Sequence, residues 1–87
     1  MKAVILYKPN SEHDSSVNAY VREFARETGR SIALVDSDSV QGIEIAKLYD
    51  IVQSPVIIVL RDDGSFVQSW VDRDRWPTVS ELSFYNQ

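Results

Sequence analysis

The sequence predicts an α/β fold, a four-stranded mixed sheet with helices on both faces, and three observations carry that reading. Ala3 to Tyr7 is a short continuous apolar run bounded by polar residues, the pattern of a strand buried on both faces. Val56-Ile57-Ile58-Val59-Leu60, rich in β-branched residues, starts directly after Pro55 and runs into Arg61-Asp62-Asp63-Gly64 and a second strand-like stretch, Ser65 to Val71. A helical segment follows each of the first two strands and a short one follows the hairpin, giving the order β-α-β-α-β-β-α.

Lys8-Pro9-Asn10 ends the first strand. From Ser11 to Thr28, Val17, Tyr20, Val21, Phe24 and Thr28 recur on one side at helical spacing, while Arg22, Glu23, Arg26 and Glu27 face away. Ser11 or Asp14 can cap this helix and Gly29 is placed to end it. Ser31 to Val35 reads as the second strand. The polar loop Asp36-Ser37-Asp38-Ser39 then offers N-caps for a helix from about Val40 to Tyr49 that buries Ile45, Leu48 and Tyr49, with Ile43 partly covered.

In the hairpin, Asp63-Gly64 suits a tight turn because glycine takes φ > 0 without a Cβ clash. Pro55 can open a strand only where its missing N–H is not needed. Asp72 to Pro77 reads as a connector, and Thr78-Val79-Ser80-Glu81 has capping-box spacing at the head of a short last helix docked by Val79, Leu82 and Phe84 or Tyr85. A right-handed crossover makes the first two strands parallel neighbours, and the last two form an antiparallel hairpin.

A chain of 87 residues fits a single domain spanning 1–87, and its composition is that of a globular protein. Thirteen acidic residues against nine basic ones give a net charge of −4, with no concentrated basic face, which argues against nucleic acid as a partner. The absence of cysteine excludes disulfides, thiol nucleophiles, iron–sulfur clusters and cysteine-based zinc sites, and a single histidine excludes multi-histidine metal sites. No metal or cofactor is expected. The opening apolar run is too short for a signal-peptide core and no stretch reaches the length of a membrane span, so the expectation is a cytoplasmic chain without membrane contact.

A helix ending in Tyr49-x-Ile51, a short loop, Ser54-Pro55, a hydrophobic strand, Asp63-Gly64 and a second strand resemble the C-terminal half of thioredoxins and glutaredoxins. The resemblance implies a three-layer α/β/α sandwich of spatial order 2-1-3-4, with the third strand antiparallel to the first. It also implies a cis Pro55 bordering the active site. In those families Cys-x-x-Cys opens the first helix, where backbone N–H groups and the helix dipole stabilise a thiolate. Aligned on the glutaredoxin-like pattern, Ser11 stands where the nucleophilic cysteine would be and Asp14 where the resolving one would be. A serine hydroxyl is too weak an acid to be ionised by a helix terminus and cannot cycle through a disulfide.

Other family positions compare one by one. Lys8 resembles the glutaredoxin lysine that helps hold glutathione, and Ser54 the residue whose backbone pairs with an extended ligand. The glutaredoxin Gly-Gly pair falls near Ser69-Trp70, so Trp70 takes up the room a glycine leaves and argues against glutathione. Ile5 replaces the buried acid that relays protons in thioredoxin.

Two meanings attach to Ser11-Glu12-His13-Asp14. The simpler is a helix N-terminus, where serine caps and acids answer the macrodipole. The sharper, a compressed triad of Ser11, His13 and Asp14, is opposed by geometry, because residues two apart on a helix do not face each other. Trp70 and Trp76 either cover the sheet edge and the last helix or form an aromatic contact surface.

The leading expectation is a redox-inactive member of this fold that binds a protein or peptide. The expected groove lies between the Ser11 helix start and Ser54-Pro55, with Lys8, Glu12, His13, Asp14 and Trp70 as further contacts. The alternatives are an enzyme with non-thiol chemistry on a small metabolite, using Lys8, His13 and Asp14, a degenerate thiol–disulfide oxidoreductase, and a structural or oligomerising domain.

Overall fold

The computed structural model describes residues 1–12 and 14–85. The elements run β1 (Lys2–Tyr7), α1 (Asp14–Thr28), β2 (Ala33–Asp36), α2 (Val40–Leu48), β3 (Val56–Leu60) and β4 (Phe66–Trp70). A 3-10 turn over Arg73–Arg75 and a short helix α3 (Val79–Ser83) follow. The sheet has the order β2-β1-β3-β4, with β1 parallel to β2 and antiparallel to β3, as expected.

β1 and β3 form the middle of the sheet, and alternation along them divides the core in two. Ala3, Ile5, Ile57 and Val59 meet Val17, Tyr20 and Phe24 of α1 and Val79 and Leu82 of α3 on one face. Val4, Leu6, Val56, Ile58 and Leu60 meet Val35, Ile45, Tyr49 and Ile51 on the other. Every residue of β3 is buried, which is why its sequence is unbroken by polar positions. Each fully buried aliphatic or aromatic side chain contributes roughly 1.5–3 kcal/mol, so the α1 stripe outweighs any cap on that helix.

α1 begins at Asp14, three residues later than the periodicity alone suggests, because the chain first makes a turn in which the Asp14 N–H donates to the Ser11 carbonyl at 3.1 Å. At its other end Gly29 adopts φ +72° and donates to Ala25 at 2.8 Å. Ser39 caps α2 by accepting from the Gly42 N–H at 3.0 Å. At the capping-box spacing that heads α3, Thr78 Oγ1 accepts from the Glu81 N–H and donates to Glu81 Oε1, both at 3.1 Å, so the threonine caps the helix and the glutamate holds its hydroxyl rather than its N–H.

The β3–β4 turn closes with Gly64 N–H on the Arg61 carbonyl at 2.9 Å and φ +89° at Gly64. The Asp63 carboxylate accepts from the Ser65 amide at 2.9 Å, which holds this carboxyl below its usual range. Pairing slips by one residue between Val59 and Leu60, a bulge that bends the exposed edge strand β4.

One expected burial is wrong. Leu48 is 73% exposed, because the buried stripe of α2 is Gly42, Ile45 and, beyond the helix end, Tyr49, whose hydroxyl donates to the Gly64 carbonyl. Spacings of three, four and seven put those positions on one face and leave Val40, Ile43 and Leu48 pointing away. β2 also starts two residues later than expected, at Ala33, although Ile32 is buried before it. No helix among the described residues is long and apolar enough to cross a membrane.

Candidate functional site

The start of β3, the end of β4 and the first turn of α1 lie around one opening. The loop before β3, the end of β4 and the connector after it enclose an open groove of about 790 Å³. Gln53, Ser54 and Pro55 form one wall, Ser69 and Trp70 the other, and the segment 71–75 and Ser16 complete it. The Ser54-Pro55 peptide bond is cis. Ser54 is exposed while Pro55 is buried at the head of β3, so the strand begins at the groove floor. The Trp70 ring is held edge-on against Tyr85, with centroids 5.6 Å apart.

A cluster around Arg73 supports the groove from beneath. The Tyr20 and Trp76 rings meet edge to face at 5.1 Å, and the Arg73 guanidinium carbon lies 5.2 Å from the Tyr20 centroid and 4.8 Å from that of Trp76. Arg73 Nη2 reaches the Ser16 carbonyl at 3.5 Å, tying the connector to α1. The Tyr20 hydroxyl donates to the Pro77 carbonyl. Burial pushes the Tyr20 pKa up to about 12, against the opposing pull of the Arg73 charge.

The sequence-derived candidates separate into two places. Ser54, Pro55 and Trp70 line the groove together; Lys8, Ser11, Glu12 and Asp14 are not among its lining residues. Lys8 forms an exposed ion pair with Asp38 at 3.8 Å, of the kind that contributes little to stability. The Asp14 carboxylate accepts from the Asn10 amide at 3.2 Å and from Asn18 Nδ2 at 2.7 Å, organising the start of α1. The Ser11 N–H donates to the Lys8 carbonyl at 3.3 Å, and Glu12 is exposed. His13 lies outside the described residues.

Ser16, Gln53 and Arg73 are groove residues that sequence reasoning missed. Asp72-Arg73-Asp74-Arg75 reads as a solvated alternation of charge, and only the adjacent Trp76-Pro77 hints that one of its side chains turns inward. Among the described residues, no group of three or more histidine, aspartate or glutamate side chains is placed to hold a metal ion. A second recess, about 390 Å³ beside α2, has Val4, Val35, Ile45 and Leu48 on its walls, with Lys2, Glu44 and Asp62 also lining it.

No family model matches this chain, and no curated protein matches it. Among solved structures it is similar to thioredoxin 1 from the thermophilic eubacterium Thermosipho africanus TCF52B, with a TM-score of 0.63 and 13% sequence identity over 94% of this chain and 85% of that one. At this identity the likeness establishes the fold alone. The chain has a thioredoxin-like α/β fold and contains no cysteine.

Proposed function

We propose that this chain is a thiol-free thioredoxin-like domain whose groove beside Pro55 receives an extended segment of a protein partner. The observation that carries the reading is the groove itself, about 790 Å³ and lined by the exposed residues Gln53 and Ser54 and by Trp70. Such a lining offers a passing chain main-chain hydrogen bonds, and the tryptophan offers a rigid amphipathic surface. Without cysteine the chain has neither the attacking thiolate nor the sulfur pair that disulfide exchange requires.

The proposed partner is a protein or peptide. The net charge of −4 disfavours nucleic acid, and Trp70 beside Ser69 disfavours glutathione. A cytoplasmic location belongs to the same proposal. The enzymatic alternative gains no support from its residues, since Lys8 is paired with Asp38 and Asp14 with Asn10 and Asn18.

Affinity enrichment from the native organism tests the reading when three baits are run side by side. The wild-type domain and Glu44→Arg, altered on the far side of the sheet, are expected to retain the same protein. Ser54→Arg, which crowds the groove from an exposed position, is expected to lose it. Retention by folded Ser54→Arg at wild-type level contradicts the proposal.

A further inference from the structure

Two buried side-chain polar atoms among the described residues have no hydrogen-bond partner, Arg73 Nε and Trp76 Nε1, and both belong to the cluster under the groove. Leaving a buried donor unpaired costs roughly 1–3 kcal/mol, and a methionine or leucine would fill the same space without that cost. The chain nevertheless keeps a cation here. Its charge is met by two ring faces and one long contact to a carbonyl, and Arg73 takes part in none of the ion pairs among the described residues. The neighbouring Arg75 is already paired with Asp72 at 4.0 Å.

Arg73 also lines the groove. The rings on which it lies fix the plane of its guanidinium, so the entropy of ordering this side chain is spent on folding and not on binding. A planar guanidinium fixed in this way matches a carboxylate through two parallel N–H···O bonds, and burial of its inner edge strengthens them.

We infer that Arg73 is the anchor for an acidic side chain, so that the groove selects an extended protein segment in which a glutamate or aspartate is flanked by apolar residues. The apolar flanks lie against Pro55 and Trp70, while the carboxylate pairs with Arg73. Asp72 and Asp74, both exposed and both lining the groove, oppose the incoming charge, and Arg75 offsets Asp72 in part. This inference rests on the groove reading above.

The test is an NMR titration of the ¹⁵N-labelled domain with two blocked peptides, acetyl-Ala-Leu-Glu-Leu-Ala-amide and its glutamine twin, following the Trp70 indole and Arg73 Nε–H signals. The glutamate peptide is expected to shift both signals and to bind at least about tenfold more tightly than the twin, the scale of a charge-assisted hydrogen bond. Arg73→Lys, which keeps the charge without the fork, is expected to remove most of that difference, and Asp74→Asn to increase it.

Equal binding of the two peptides with shifts at Trp70 overturns the acidic selection and leaves the groove reading standing. If neither peptide moves Trp70, both fall. Should only a peptide with a free C-terminus and no acidic residue bind, the assignment to a side chain is wrong. Because the two peptides are compared on the wild-type domain, the test does not depend on Arg73→Lys folding.

Discussion

The buried Tyr20 hydroxyl donates a 2.8 Å hydrogen bond to the Pro77 carbonyl, joining α1 to the start of the last helix across 57 residues of chain. Tyr20→Phe removes the donor and leaves the carbonyl unpaired in the core. The expected loss is about 1–2 kcal/mol in urea denaturation. The Arg73 and Trp76 contacts of the ring should survive in the variant.

The same residue sets an alkaline limit. Its folded pKa is raised from 10.0 to about 12, so burial favours the neutral form. The stabilisation tied to that form is fully present below pH 10.0 and is lost as pH rises toward about 12, where the unfolded chain releases the phenolic proton first. Stability measured from pH 9 to pH 12 is therefore expected to fall more steeply for the wild type than for Tyr20→Phe. Parallel curves would show that Tyr20 is not the group responsible.

Gly42 is where α2 comes closest to the sheet. A Cβ there would stand 2.1 Å from the Asp36 carbonyl oxygen and 3.0 Å from Ser37 Cα, inside a corner where that carbonyl also accepts from the Ser39 N–H and hydroxyl. Gly42→Ala gains about 0.5–1 kcal/mol of helix propensity and is nevertheless expected to destabilise by about 3 kcal/mol or more, since backbone must move. Equal or higher stability of the variant, measured by urea denaturation, would contradict this packing.

Much of the fold was legible because the signals were local and redundant. β3 announces itself by five consecutive β-branched or aliphatic residues after Pro55, and the Thr78–Glu81 spacing gives the head of α3 directly. Leu48 is misplaced because the most buried position of α2 is Gly42, which carries no hydrophobic signal, while Val40, Ile43 and Leu48 offer a competing apolar stripe. The groove was half legible. Ser54, Pro55 and Trp70 came from the strand pattern and the family resemblance, but Arg73 turns inward only because Tyr20 and Trp76, 56 residues apart in sequence, meet in space.

At the start of α1, the Asp14 N–H to Ser11 carbonyl contact of 3.1 Å places these two residues at the ends of one turn. Ser11→Cys with Asp14→Cys is expected to close an intramolecular disulfide under mild oxidation. The thiol that replaces the Ser11 hydroxyl is expected to titrate below the free-cysteine value, since the helix terminus favours its thiolate and Glu12 opposes it. The wild type is expected to reduce insulin disulfides no faster than buffer with dithiothreitol. A folded double variant that stays reduced would break the correspondence of Ser11 and Asp14 with a dithiol pair.

The groove reading is tested most directly by site-specific photocrosslinking in the native organism, with p-benzoylphenylalanine placed at Gln53, at Arg75 and, outside the groove lining, at Lys47 of α2. Gln53 and Arg75 line the groove and all three side chains are exposed. Crosslinks from Gln53 and Arg75 to one short segment of the same protein, with none from Lys47, are the predicted result. Capture of that protein from Lys47 as efficiently as from the groove, or no capture from Gln53 and Arg75, would contradict a partner-binding groove beside Pro55.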